Sequence, residues 1–325
     1  MDKKYMMRCI ELARKGAGSV SPNPMVGAVI VCDNRIIGEG FHRKAGEAHA
    51  EVNAIASVRD PSLLRRSTLY VNLEPCSHYG KTPPCADLII RRQIPRVVVG
   101  CLDPFPAVSG EGVRRLLAAG IEVTTGIMNR EARALNKVFI TFHEQHRPYV
   151  CLKWAQSEDG YIDRQRTDNT TPPVTFSTPA TRRAVHKLRA ETAAVMVGTR
   201  TALLDNPSLT VRHWSGNPPV RVVLDRHLLI PSHYHLSDGT IPTLVFTAKP
   251  APSQKNIEYI PLDYALPVLP QVLSALYARR LDSLLVEGGS CLLTAFLQEG
   301  LWDEARMETA PFRLHDGVKA PLFRH

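Results

Sequence analysis

The chain has no run approaching the roughly 18 consecutive apolar residues that a membrane-spanning helix needs, so no membrane partner is expected of it. Aromatic residues make up only 6% of the sequence, and no basic stretch is interleaved with them. That argues against a stacking surface for single-stranded nucleic acid. Seven cysteines, an odd number without the dense spacing of a disulfide framework, exclude a small secreted scaffold and point to reduced thiols in a cytoplasmic setting. The opening Met1-Asp2-Lys3-Lys4 leads into Arg8, Glu11 and Arg14. It reads as an amphipathic helix with Met6, Cys9, Ile10 and Ala13 on one face rather than as a signal peptide. Internal repeats and low-complexity tracts are also missing.

What is present suits a two-domain enzyme. A chain of 325 residues that is 44% hydrophobic can bury two cores without disulfides. The net charge of +9 comes from 20 basic against 14 acidic residues up to position 145 and 20 against 17 beyond it. Such a mild excess suits phosphorylated small molecules at least as well as nucleic acid. In the first half, strands are expected at Met25–Cys32, Thr68–Leu73, Arg96–Cys101 and Ile121–Thr125, separated by helices near 49–58, 84–92 and 110–119. A further helix is expected over Asn129–Gln145, and His146-Arg147-Pro148 then ends the helical pattern before a new strand at Tyr149–Ala155. The boundary is placed there, giving domains 1–146 and 147–325. Strands near 193–198, 220–225, 243–247 and 283–287 make the second half α/β as well, with a polar loop over Asp163–Pro173.

Chemistry concentrates in three short elements of the first half: His49-Ala50-Glu51, Pro75-Cys76 and Cys85. One imidazole and two thiolates are a good ligand set for Zn²⁺, and three protein ligands leave the fourth tetrahedral position for water, as catalytic zinc requires. His-x-Glu followed by Pro-Cys and a second cysteine is the signature order of zinc deaminases, in which the glutamate is the general acid and base. Here eight residues separate the cysteines where the usual spacing is two. His49 and Cys85 each open a helical pattern, where partial positive charge favours a thiolate. Cys9, Cys32, Cys101, Cys151 and Cys291 are read as small core residues, and His42 and His78 as surface or loop-packing histidines.

Pro22-Asn23-Pro24-Met25-Val26-Gly27, Gly38-Glu39-Gly40-Phe41-His42 and Ala45-Gly46-Glu47-Ala48-His49-Ala50-Glu51 resemble motifs of the bifunctional deaminase/reductase family of riboflavin biosynthesis. The most specific stretch is Leu73-Glu74-Pro75-Cys76-Ser77-His78-Tyr79-Gly80-Lys81-Thr82-Pro83-Pro84-Cys85, which accounts for the long cysteine spacing, and Asp103-Pro104 fits too. The resemblance implies an N-terminal cytidine-deaminase-like α/β/α layered domain with zinc on His49, Cys76 and Cys85, and Glu51 as the catalytic group. Asn23 would clamp the substrate ring, although an asparagine between two prolines equally suits a turn. The implied reaction is hydrolytic deamination of 2,5-diamino-6-(5-phosphoribosylamino)pyrimidin-4-one.

In the second half, Lys153-Trp154-Ala155-Gln156-Ser157-Glu158-Asp159-Gly160, Val197-Gly198-Thr199-Arg200-Thr201, Asp205-Asn206-Pro207-Ser208-Leu209-Thr210-Val211-Arg212 and Val286-Glu287-Gly288-Gly289-Ser290 resemble that family's reductase domain. It implies a dihydrofolate-reductase-like α/β fold using NADPH, with a homodimer through this domain. Ala155, Thr175, Thr201, Asp205 and Gly289 would face NADPH, while Leu209, Arg212 and Glu287 would face the phosphoribosyl substrate. Glu158, Asn206 and Thr175 stand where the family commonly has leucine, aspartate and tryptophan. A glycine pair opening a helix lets a phosphate approach bare backbone, and an arginine such as Arg212 binds phosphate bidentately. Two other readings use the same residues: a tRNA or other nucleic-acid base deaminase, and a structural zinc module. The first lacks aromatic-interleaved basic stretches, and the second would close its site with a fourth protein ligand.

Overall fold

The computed structural model describes residues 1–77, 83–105 and 109–323, and His78 lies outside them. The chain divides into two compact units, Met1–Gln145 and His146–His325.

The first unit is a sheet between two helical layers. Its strands are β1 (Gly27–Cys32), β2 (Arg35–Phe41), β3 (Thr68–Leu73), β4 (Arg96–Cys101) and β5 (Glu122–Thr125), in the order β2-β1-β3-β4-β5. β1 runs antiparallel to β2 and β3, and β3, β4 and β5 run parallel. Every residue of β1 is buried because both faces of the sheet are covered. Ala28 and Ile30 pack under α2 (Ala50–Ala56), α3 (Cys85–Arg91) and α4 (Glu111–Ala118). Val29 and Val31 pack on the other face under Tyr5, Met6, Cys9 and Ile10 of α1 (Asp2–Ala13).

Two local features of this unit differ from the sequence expectation. β2 is a full strand in a stretch with no clean alternation. A Cβ at Gly40 would lie 2.3 Å from the Ala54 backbone nitrogen, so glycine is what lets α2 lie directly on β2. The helix expected over Asn129–Gln145 is broken into α5 (Asn129–Leu135) and α6 (Lys137–Gln145). Buried Asn136 sits at the break and turns its side chain to the backbone of Met25, accepting from the amide at 2.8 Å and donating to the carbonyl at 2.9 Å.

The second unit is a seven-stranded sheet in which every neighbouring pair is parallel. Its elements are β6 (Tyr149–Ser157), β7 (Tyr161–Asp163), α7 (Pro179–Ala190), β8 (Ala194–Gly198), α8 (Thr199–Asp205), β9 (Val220–Leu224), β10 (Thr243–Thr247), β11 (Ile257–Pro261), α9 (Val268–Ala278), β12 (Ser283–Val286), α10 (Ser290–Gln298), β13 (Glu304–Ala310) and β14 (Val318–Lys319). The order is β11-β10-β9-β8-β12-β6-β13, with β7 and β14 in a separate antiparallel pair. Val150, Leu152 and Trp154 of β6 join α9 and α10 in one core, while Cys151 joins Val195, Val197 and Ala202 on the other face. From β8 the chain moves outward through β9, β10 and β11, then returns to lay β12 on the opposite side of β8. The order of connection therefore reverses between β8 and β12, and the crevice at the carboxyl ends of two such strands is where open α/β sheets bind ligands.

Candidate active sites

His49 is the residue before α2, with extended backbone, and Glu51 lies in the first turn of that helix. Cys85 opens α3, and its backbone N–H points at the Cys76 sulfur 3.3 Å away. The loop carrying Cys76 is fixed by Glu74, whose buried carboxylate accepts from the backbone N–H groups of Asp103, Gly110 and Val113 at 3.2, 2.9 and 3.1 Å. These anchors bring the two sulfurs to 3.5 Å (Cys76) and 3.4 Å (Cys85) from His49 Nδ1, and all three donor atoms lie within 4.8 Å of one another. With Zn–S near 2.3 Å and Zn–N near 2.0 Å, the sulfur–nitrogen edge of a tetrahedral site is about 3.5 Å. The donor set and its spacing therefore fit zinc with one position left open.

The protonation pattern of the metal-free site fits a place built for a cation. Hydrogen bonding from Cys85 and then His49 holds the Cys76 thiol well below its usual range, whereas Cys85 is pushed up by its hydrogen bond to Cys76 and by burial. His49 is pushed up to about 8, first by its hydrogen bond to Cys76. Glu51 is pushed up to about 7 by burial and then by the charge on Cys76, with His49 pulling the other way. A carboxyl poised near neutrality is suited to taking and returning a proton.

His42, expected at a surface or in loop packing, is buried and meets the His49 ring edge-on at 5.5 Å. Its Nδ1 lies 3.1 Å from the Ala48 carbonyl, which can only accept, so Nδ1 carries the proton and Nε2 accepts from the Asn23 amide at 3.1 Å. Burial lowers the His42 pKa, consistent with this neutral tautomer. Asn23 thereby has its amide oriented while its backbone N–H closes a turn onto Val20 at 2.8 Å.

The second unit holds a cavity of about 810 Å³ at the carboxyl ends of β6, β8 and β12. Ala155, Thr175, Thr201, Asp205, Arg212, Glu287 and Gly289 all line it. Gly289 has φ +70°, which favours glycine, and precedes α10, with Thr201 Oγ1 at 3.1 Å from where a Cβ would be. The Leu209 side chain is buried in the hydrophobic cluster with Val197 and Val223 and does not line the cavity. Asn206 caps α8 in the left-handed conformation that asparagine tolerates, and its Oδ1 accepts from the His235 N–H at 2.8 Å. Cys291 is exposed at the cavity rim rather than buried in the core, unlike Cys9, Cys32, Cys101 and Cys151.

Sequence reasoning missed the other side of this cavity. Arg182, Val185, His186 and Arg189 of α7 face it with the i, i+3, i+4, i+7 spacing of a helical stripe, a signal present in the sequence. Arg189 grips Glu287 through two hydrogen bonds of 2.6 Å each, so Glu287 meets the cavity as half of a buried ion pair.

Residues 148–322 match the family described as RibD C-terminal domain, more than half of the chain, and residues 1–101 match the cytidine and deoxycytidylate deaminase zinc-binding region. The chain belongs to the RibD family. It is 41% identical to the riboflavin biosynthesis protein RibD of Aquifex aeolicus, over 98% of this chain and 89% of that protein. The Escherichia coli RibD is 37% identical over 95% and 88%. Among solved structures, a deaminase/reductase from Thermotoga maritima superposes with a TM-score of 0.86 at 40% identity, covering 99% of this chain and 91% of that one. The architecture is accordingly a cytidine-deaminase-like α/β/α domain followed by the dihydrofolate-reductase-like domain of RibD. As a RibD protein, the chain is a zinc deaminase and NADPH-dependent reductase of riboflavin biosynthesis, which favours this reading over a nucleic-acid base deaminase.

Proposed function

We infer that residues 1–146 deaminate 2,5-diamino-6-(5-phosphoribosylamino)pyrimidin-4-one and that residues 147–325 reduce the resulting 5-amino-6-(5-phosphoribosylamino)uracil to its ribityl form. The observation that carries the reading is the triangle of His49, Cys76 and Cys85 with buried Glu51 against it. It is joined on the same chain to a cavity where the order of connection of a parallel sheet reverses. Zinc, when bound by His49, Cys76 and Cys85, supplies Lewis acidity that activates water near neutral pH. Glu51 takes a proton from the attacking water and gives it to the ring nitrogen, then passes the proton of the added hydroxyl to the amino group, which leaves as ammonia. Asn23, oriented by His42, holds the ring by its amide. Water enters and ammonia leaves, so the amino carbon becomes a carbonyl.

In the second cavity, NADPH supplies a hydride when bound. Ala155, Thr175, Thr201, Asp205 and Gly289 are assigned to its side, and Arg212 and Glu287 to the phosphoribosyl side, while Leu209, packed in the core, is not assigned to the site. Arg189, paired with Glu287, belongs with the latter group. The free thiols of all seven cysteines fit a cytoplasmic enzyme. No helix among the described residues is long and apolar enough to cross a membrane. A homodimer through the second unit is supported by β13, an edge strand with Met307 exposed, since an unpaired edge invites pairing. The test is to incubate the protein with the diaminopyrimidinone phosphate, with and without NADPH, and to identify products by mass. Exchange of NH for O without NADPH, followed by gain of two hydrogens only with it, is expected. Unchanged substrate under both conditions would overturn the reading.

A further inference from the structure

Arg166 lies in the polar segment after β7, yet its side chain is only 3% exposed. Guanidinium has five N–H donors, and Arg166 makes four hydrogen bonds with them beside its ion pairs. Nε donates to Asp163 Oδ2 at 2.7 Å, and Nη1 donates to the carbonyls of Thr171 and Leu204 at 3.3 and 3.2 Å. Nη2 bonds Asp205 Oδ1 and reaches Asp163 Oδ2 at 2.5 Å. The other oxygen of Asp163 accepts from the Val174 N–H at 3.0 Å, so one carboxylate ties both ends of the segment. The next residues, Val174 to Ser177, form a wall of the cavity that Asp205 also lines.

We propose that Arg166 is a positioning residue of the reductase site, fixing the Asp205 carboxylate and the 174–177 wall in the arrangement that meets the ligands. The proposal rests on the reading of this cavity as the reductase site. Arg166 holds Oδ1 of Asp205 and so fixes the orientation of a carboxylate that lines the cavity. It also leaves the trio with Asp163 and Asp205 at one net negative charge rather than two, where phosphate-bearing ligands are to enter. Lysine keeps the charge but offers three donors from a single nitrogen, and cannot span two carboxylates and two carbonyls on separate elements.

The experiment compares full-length wild type with Arg166→Lys and with the double variant Arg166→Gln/Asp163→Asn, which keeps the net charge of the trio. Five quantities are read on each sample: thermal unfolding, NADPH dissociation constant by fluorescence, kcat and KM for reduction of the aminouracil phosphate, and ammonia release by the first unit as a folding control. In both variants kcat is expected to fall about 10- to 100-fold, the usual consequence of misplacing a site group by about 1 Å. KM for the aminouracil phosphate should stay within about threefold, whereas the NADPH dissociation constant should rise, because Asp205 and Thr175 are assigned to its side. The double variant, in which Asp163 is not left charged without Arg166, should unfold near the wild-type temperature and still be slow. Wild-type kcat in either folded variant, or a kcat that recovers with unfolding temperature in the double variant, would overturn the role of Arg166 alone. A wild-type enzyme that oxidises no NADPH would overturn the reductase reading and this inference with it.

Discussion

Replacing Glu51 by Gln keeps the volume of the side chain and removes its proton chemistry. The residue is only 3% exposed, and burial followed by the charge on Cys76 pushes its carboxyl up to about 7 from an ordinary 4.5. Because its folded pKa lies above the unfolded one, its contribution to stability is complete below about 4.5 and is lost as pH rises through about 7. The loss amounts to about 3 kcal/mol in the metal-free protein. A neutral Gln escapes that loss, so at pH 8 the metal-free variant should unfold no earlier than wild type. Deamination is another matter. General acid–base catalysis is worth about 10² to 10⁴ in rate, or about 3 to 5 kcal/mol of barrier, and ammonia release should fall by that factor while zinc content stays unchanged. The second unit has its own core and cavity, so the same sample should oxidise NADPH at the wild-type rate when given the deaminated aminouracil phosphate. Near-normal ammonia release from a folded, zinc-loaded variant would refute the assignment of Glu51.

Cys76→Ser removes one of three donors, and metal analysis should show zinc well below the one equivalent expected for wild type; an undiminished content would remove Cys76 from the ligand set. Arg189→Ala leaves Glu287 buried without its partner, a change worth about 3 to 5 kcal/mol, so thermal unfolding should resolve a destabilised second unit while ammonia release persists. Asp103 is pushed up to about 6 from 3.8, chiefly by burial, so its stabilising contribution is lost as pH rises from about 4 through about 6. Asp103→Asn should flatten that part of the stability–pH curve, as read by denaturant unfolding across the range. The dissociation constant for NADPH should be smaller than that for NADH, and equal constants would count against NADPH as the working cofactor.

The site was more legible in the sequence than the frame that holds it. His49, Glu51, Cys76 and Cys85 announce themselves because metal chemistry restricts residue type, order and spacing at once. β2 carries Gly38 and Gly40, poor strand formers whose value appears only once α2 lies against them. β13, Glu304–Ala310, has few apolar residues because it is an edge strand, so alternation gives no signal. The break at Asn136 depends on a partner 111 positions away, and the Arg189–Glu287 pair spans 98. Periodicity within a window cannot report such contacts. The stripe Arg182, His186 and Arg189 was legible as a helix face, but what it faces was not. Cys291 looked like a core thiol by residue type alone, and the fold puts it at the start of α10, at the rim of the cavity.

One chain carries two chemically distinct sites, one requiring zinc and the other NADPH. The direct measurement follows both half-reactions on protein stripped of metal by a chelator and on the same protein reloaded with one equivalent of zinc. Stripping should abolish ammonia release from the diaminopyrimidinone phosphate and leave NADPH oxidation on the aminouracil phosphate intact, with reloading restoring the former. Ammonia release that survives removal of zinc from a sample shown to be metal-free would contradict the zinc requirement.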